Sequence, residues 1–381
     1  MMKELYSGYS KKTEIELKEL WENSLITFDT NVILNLYRYS DSTRIAILEL
    51  IEKFEKQIFL TFQVGLEYNR NRYEIISEQE NSHNVFLKKL KIIEDDLNSK
   101  DSPPFLSDNL HKSLSKVFNN VGKEVKEHIE SFQKMSDNDQ VFNKIDKLFN
   151  GKITEKFDEE RIKQIYLEGK LRFDKKIPPG YEDQKKPEEK RYGDLIFWLQ
   201  ILEKSKIEKK SIILISDERK EDWFWKLKNG KTIGPRQELI EEMKTFSGKN
   251  FHIYSSERFL NFGQMYLQEN INDKAIQEIE SIKRSDLDAQ ASELQKLSER
   301  TIRESKRSQR VFDKTIDKYL EQLSPREADL FGLNTEIGPK DSMSLKEIAE
   351  MFDISPSMVN KIKKRAVEKI RKISNDDKLE D

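Results

Sequence analysis

Two apolar runs in this chain end the same way, and that ending narrows the folds open to it. Leu25-Ile26-Thr27-Phe28 stops at Asp29, and Ser211-Ile212-Ile213-Leu214-Ile215-Ser216 stops at Asp217. Strands sheathed by helices on both faces read as continuous apolar runs rather than alternating ones. A carboxylate directly after such a strand lies at the carboxyl edge of the sheet, where open α/β folds place their ligands. Ile58-Phe59-Leu60-Thr61 and Phe251-His252-Ile253-Tyr254 are further strand candidates. Between them the pattern turns helical. Val32 to Phe54 has apolar residues near helical spacing and a break at Ser40-Asp41-Ser42, a long helix carrying Glu67 follows Ile58 to Thr61, and another helix spans about Tyr192 to Lys204. Strands alternating with helices predict a doubly wound α/β fold with a mainly parallel sheet.

The rest of the chain departs from that alternation. Residues 81–171 are charged and mostly helical, broken at Ser102-Pro103-Pro104, and read as a helical insertion in the α/β core. Ile177-Pro178-Pro179-Gly180 opens a polar loop through Lys185-Lys186-Pro187. From about Asn270 to Leu323, Pro and Gly vanish and charges of both signs dominate, predicting a helical connector that offers a surface for self-association or a protein partner. The expected division is an α/β domain over 1–267, the connector over 268–322, a small all-α unit over 323–375 and a disordered tail over 376–381.

Composition removes several chemistries. At 381 residues the chain has room for one large core and a second, smaller unit. It has no cysteine, which excludes disulfides and thiolate zinc sites, and its four histidines make a histidine-rich metal site a poor fit. Any metal would be held by oxygen. No run approaches the ~20 apolar residues of a membrane helix, and residues 1–10 lack a signal-peptide core, so the expectation is a cytoplasmic protein.

Four acids fall where strands end or helices begin: Asp29, Glu67, Asp194 and Asp217. Taken singly, Asp29 or Asp217 reads as a helix cap, Glu67 as a solvated helix acid and Asp194 as a first-turn acid answering the helix dipole. Together, at one edge of a parallel sheet, they would repel unless a cation joined them. An all-oxygen set suits Mg²⁺ or Mn²⁺, and such ions support phosphodiester hydrolysis.

The motifs around these acids resemble the PIN-like branch of the PIN nuclease superfamily. Phe28-Asp29-Thr30-Asn31 with Leu34 to Ser40 resembles its opening, and Gln63-Val64-Gly65-Leu66-Glu67-Tyr68-Asn69-Arg70-Asn71-Arg72 its second motif. Lys176 to Tyr181, Arg191-Tyr192-Gly193-Asp194 with Leu195 to Trp198, and Ser216-Asp217 through Trp225 resemble its later blocks. The resemblance runs from about Leu20 to Phe262. It implies a Rossmann-like sheet and a Mg²⁺- or Mn²⁺-dependent phosphodiesterase centre, most often acting on RNA. Asp29, Glu67, Asp194 and Asp217 match the acidic positions and Asn31 the small polar helper, while Asp222 could replace or assist Asp217. Arg70, Arg72 and Arg191 are candidate phosphate contacts, with pairing to nearby acids the alternative. Trp223 and Trp225 read as core packing rather than as base-stacking rings.

At the C-terminus, Ser344 to Phe352 followed by Asp353 to Ile362 has helix-turn-helix spacing. Ala349 lies at the crossing, Ile354 and Val359 in the core, and Ser355 caps a helix that Pro356 begins. That second helix is basic, with Lys361, Lys363, Lys364, Arg365, Lys369, Arg371 and Lys372 against Glu368. Such a helix is the electrostatic footprint of phosphate binding. Residues 323–373, opening on Leu323-Ser324-Pro325-Arg326-Glu327, resemble region four of bacterial sigma factors. Ser357, Asn360 and Lys361 are the expected base-facing residues, with Lys364 and Arg365 beside them; a protein-docking module is the alternative. The expected function is a metal-dependent endonuclease, with RNA its expected substrate, carrying a DNA-binding or docking domain. Host defence or a toxin-like role fits that arrangement. The rival reading is a DNA-binding regulator whose PIN-like part senses without cutting.

Overall fold

The computed structural model describes residues 2, 7–9, 12–98, 106–267, 273–286, 292, 295–296, 298–303, 345–351, 353–362, 364–365 and 368. The chain divides into two compact units, Met1–Ser285 and Asp286–Asp381. In the first, α1 (Glu14–Asn23) leads into β1 (Leu25–Phe28), and α2 (Thr30–Asn35) and α3 (Asp41–Lys53) follow. The expected helix break is real: Ser40 caps α3, its hydroxyl accepting from the Thr43 backbone N–H. Next come α4 (Phe62–Asn98), α5 (Asp108–Met135), α6 (Gln140–Phe149) and α7 (Glu159–Asp174). A 3₁₀ turn at Tyr181–Asp183 and the short α8 (Glu188–Arg191) precede α9 (Gly193–Glu208), which delivers the chain to β2 (Ile212–Ile215). A hairpin of β3 (Phe224–Lys226) and β4 (Thr232–Pro235), then α10 (Gln237–Ser247), β5 (Phe251–Tyr254) and α11 (Ser256–Tyr266), continue the unit. A further helix covers 273–286.

The sheet is parallel, in the order β1-β2-β5, with Phe28 level with Ile215 and Ile215 level with Tyr254. Every residue of β1 and β2 is buried, as their unbroken apolar runs require. β5 alternates, with Phe251 and Ile253 buried and His252 and Tyr254 half-buried. On one side Phe251 meets Trp198 of α9 at 4.8 Å between ring centroids; on the other, Trp21 of α1 packs on Tyr254 and stacks on Phe262. The expected strand at Ile58 to Thr61 reduces to two single parallel bridges, Ile26 to Ile58 and Leu60 to Ile153.

The span expected as a helical insertion holds several helices. α4 runs unbroken for 37 residues, roughly 55 Å, and pairs with α5 through contacts such as His83 on Phe132 and Gln133 to Glu80. α6 and α7 instead return to the core, where Phe149 and Ile165 are fully covered. Among the described residues no helix is long and apolar enough to cross a membrane.

In the second unit, the helix Leu345–Met351 is followed by a turn at 353–355 and a helix over 356–362. Ile348, Ala349 and Val359 form its buried core, with Ile354 and Ile362 packed on it. Asp353 takes a left-handed φ of 48°, a conformation Asp tolerates at modest cost. The Ser355 hydroxyl accepts from the Met358 N–H, capping the second helix. Of the remaining readings, Leu323 to Ser344, Lys363, Lys369, Arg371, Lys372 and the tail lie outside the described residues, as does most of the connector.

Candidate active site

The register of β1 against β2 builds the first part of the site. Asp29 and Ser216 leave their strands side by side, and the Ser216 hydroxyl donates to Asp29 Oδ2 at 2.6 Å. Asn31 Nδ2 donates to the same oxygen at 2.9 Å, and its Oδ1 accepts from the Asp217 backbone N–H. Asp29 stands at the cap position of α2 yet makes no capping bond, so its carboxylate is held for something other than the helix end. Its Oδ1 accepts no hydrogen bond among the described residues. Glu67, in the second turn of α4, receives Thr30 Oγ1 on Oε2 at 2.9 Å and Gln63 Nε2 on Oε1 at 2.7 Å. Gly193 opens α9 against this acid: a Cβ there would stand 3.0 Å from Glu67 Oε1.

One residue later, Asp194 brings the third acid. Its Oδ2 accepts from Trp223 Nε1 and from the Lys220 ammonium, at 3.3 and 3.2 Å. Lys220 Nζ also lies 3.1 Å from Asp183 and 3.4 Å from Glu218. Sequence reasoning passed over all three of these residues. Glu218 carried the signal of following the second strand, but Asp217 stands one place closer; Asp183 is on the Pro/Gly loop, which gave no strand or helix to place it.

Asp217 does not face this group. Its carboxylate accepts from the backbone N–H and hydroxyl of Ser256 at the start of α11, and pairs with Lys283 at 2.6 Å, both side chains largely buried. Ser255 is the cap of that helix, and Asp217 braces its first residue instead. Asp222 is fully buried and accepts the backbone N–H groups of Gly180 and Glu182, fastening the Pro178-Pro179-Gly180 loop. Arg72 lies over the Phe142 ring at 4.0 Å and 3.6 Å from Asp139, the pairing with a nearby acid that was the alternative to a phosphate contact. Arg191 Nε donates to Lys186 O and braces the loop, whereas Arg70 is exposed, three residues beyond Glu67 on the same helix. Trp223 is core, packed against Phe197 and Trp198; Trp225 is half-buried beside Tyr9.

Electrostatics mark which acids feel one another. Burial pushes Asp29 up to about 7 against the Ser216 hydrogen bond, with Asp194, Glu218 and Glu67 adding repulsion. Asp194 is raised to about 6 by burial, against Lys220, with Asp183, Asp222 and Glu218 adding to it. Burial lowers the Lys220 pKa, but Asp194, Glu218 and Asp183 outweigh it and raise it. As the side chains stand, no group of three or more histidines or acids among the described residues is drawn together tightly enough to hold a metal ion. The donors nonetheless suit one in kind. They are all oxygen, burial holds Asp29 and Asp194 above the ordinary carboxylate range, and each of the two keeps an oxygen free of hydrogen bonds among the described residues.

A family model described as PIN like domain matches residues 25–239, more than half of the chain. The chain belongs to the PIN-like domain family. PIN-like domains are usually nucleases, and PIN domains typically depend on divalent metal. The matched span of this PIN-like protein holds Asp29, Glu67, Asp194 and Asp217, and stops inside α10, before β5. A second model, Sigma-70, region 4, matches residues 319–372, a helix-turn-helix DNA-binding domain. Comparison with curated proteins gives no match, and comparison with solved structures gives none. In the region-4 part of this PIN-like protein, Ser357, Asn360, Lys361, Lys364 and Arg365 are all exposed, so the described basic residues of the second helix face solvent.

Proposed function

We propose that this chain is a divalent-metal-dependent endonuclease that hydrolyses phosphodiester bonds, with RNA as its substrate. One observation supports the reading: the Asp29 carboxylate, at the exit of β1, makes no bond to its helix end and lies within electrostatic reach of Glu67 and Asp194. Asp29, Glu67 and Asp194 would hold Mg²⁺ or Mn²⁺. An ion there supplies Lewis acidity, activating water and neutralising charge on the phosphodiester. The protein's own part is orientation. Ser216 and Asn31 fix Asp29, Thr30 and Gln63 fix Glu67, and Trp223 fixes Asp194. Arg70, exposed one turn past Glu67, is placed for a substrate phosphate. In this reading residues 1–267 are the catalytic domain, 268–322 a connector and 323–375 a DNA-binding or docking domain, in a cytoplasmic protein.

A second reading, a DNA-binding regulator with a non-cleaving PIN-like part, draws on Lys220, whose ammonium already answers three of the acids. Incubating labelled RNA and DNA with Mn²⁺ or with chelator separates the two. The nuclease reading expects Mn²⁺-dependent cleavage of RNA, reduced at least ~100-fold in Asp29→Asn. Equal cleavage by wild type and variant, or none under any condition, would refute it.

A further inference from the structure

Lys220 is not a surface lysine that happens to lie near acids. Its backbone is pinned on both sides: its N–H donates to Glu218 Oε1 at 3.1 Å, and its carbonyl accepts the N–H groups of Trp223 and Phe224 at 3.2 Å. The ammonium is thereby delivered among three carboxylates, Asp183, Asp194 and Glu218, at 3.1 to 3.4 Å, with about a quarter of the side chain exposed. Asp194 spends Oδ2 on this lysine and on Trp223, and Asp29 spends Oδ2 on Ser216 and Asn31. The acids thus fall into two groups. Asp183 and Glu218 sit around a cation that the chain itself supplies. Asp29 and Glu67 are held by neutral donors, with no cation beside them among the described residues. Asp194 belongs to both.

Two-metal phosphodiesterases place their ions ~3.5–4 Å apart and bridge them with a shared carboxylate. A fixed ammonium on one side of the shared acid occupies that second position in charge, if not in valence. We propose that Lys220 is a tethered cation standing in for a second metal ion, so that the site takes one divalent ion, on the Asp29–Glu67 side of Asp194. The inference rests on the metal-dependent reading above and specifies its stoichiometry.

Counting Mn²⁺ bound to the full-length chain, by electron paramagnetic resonance of free ion and by calorimetry, tests it without reference to cleavage. Wild type should bind one ion per chain, Asp29→Asn none, and Lys220→Arg, which keeps the charge, one. Lys220→Met should bind two, and its melting temperature should rise more with Mn²⁺ than that of wild type, because its acids have lost their resident charge. Two ions in wild type would overturn the inference and leave the metal-dependent reading standing. A count of one in Lys220→Met, even with tighter binding, means that the lysine merely competes for the single site, and also overturns it. No ion in wild type would refute both. Should Lys220→Met fail to fold, Lys220→Gln, neutral but still a hydrogen-bond donor to those acids, is counted in its place, with two ions expected and one overturning the inference.

Discussion

At the scale of single residues, the site trades stability for charge. Asp29 has a folded-state pKa of about 7 against an ordinary 3.8. Between those values the unfolded chain gives up its proton first, so without metal the folded state loses stability as pH rises through the window. In chelator, Asp29→Asn should therefore be more stable than wild type at pH 7, on the order of 1–3 kcal/mol, and the difference should shrink toward pH 4. Denaturant melts at the two pH values measure it; a variant less stable than wild type at pH 7 would contradict it. Gly193 makes a steric counterpart. An added methyl stands 3.0 Å from Glu67 Oε1, so Gly193→Ala should shift that carboxylate by a few tenths of an ångström. Activity should fall ~10-fold or more with little change in melting temperature.

At the scale of elements, the sequence was most readable where local chemistry decides. β1 and β2 announce themselves because a doubly covered strand must be apolar throughout. The turn of the C-terminal unit was legible because Asp353, Ser355 and Pro356 each do a job set by their own backbone. What failed was long-range. Arg72 looked like a phosphate ligand because nothing nearby in sequence reveals that Asp139 and Phe142, far along the chain, enclose it. The β3–β4 hairpin escaped notice although Asn229-Gly230 is a strong turn signal; its strands are short and half-exposed and lack a clear period. Asp217 and Glu218 are neighbours after one strand, and only the partner each meets distinguishes them. That distinction predicts opposite phenotypes. Asp217→Ala strands Lys283 and removes the acceptor of the Ser256 N–H and hydroxyl, and should cost about 3 kcal/mol while the folded fraction keeps cleaving. Glu218→Gln should spare stability and lower activity, as activity per folded molecule would show.

For the whole molecule, two units of different chemistry share one chain: a cluster of acids in the first and an exposed basic helix in the second. An overall charge of −2 conceals that opposition. If the basic second helix of this unit meets duplex phosphates, Lys364→Glu, beside the base-facing residues, should weaken duplex binding at every sequence. The slope of its salt dependence should drop by about 0.9 for each phosphate no longer neutralised. Cleavage of a short RNA by the same variant should be unchanged. Titrations at several salt concentrations, run beside a cleavage assay, test both halves of that statement.

The exit of β2 works as a mechanical link. Successive side chains of a strand leave on opposite sides. Ser216 reaches across to Asp29, and Asp217, the next residue, grips Lys283 on the helix over 273–286. Traction on that helix therefore crosses a single peptide link before it reaches the hydroxyl that sets the angle of Asp29.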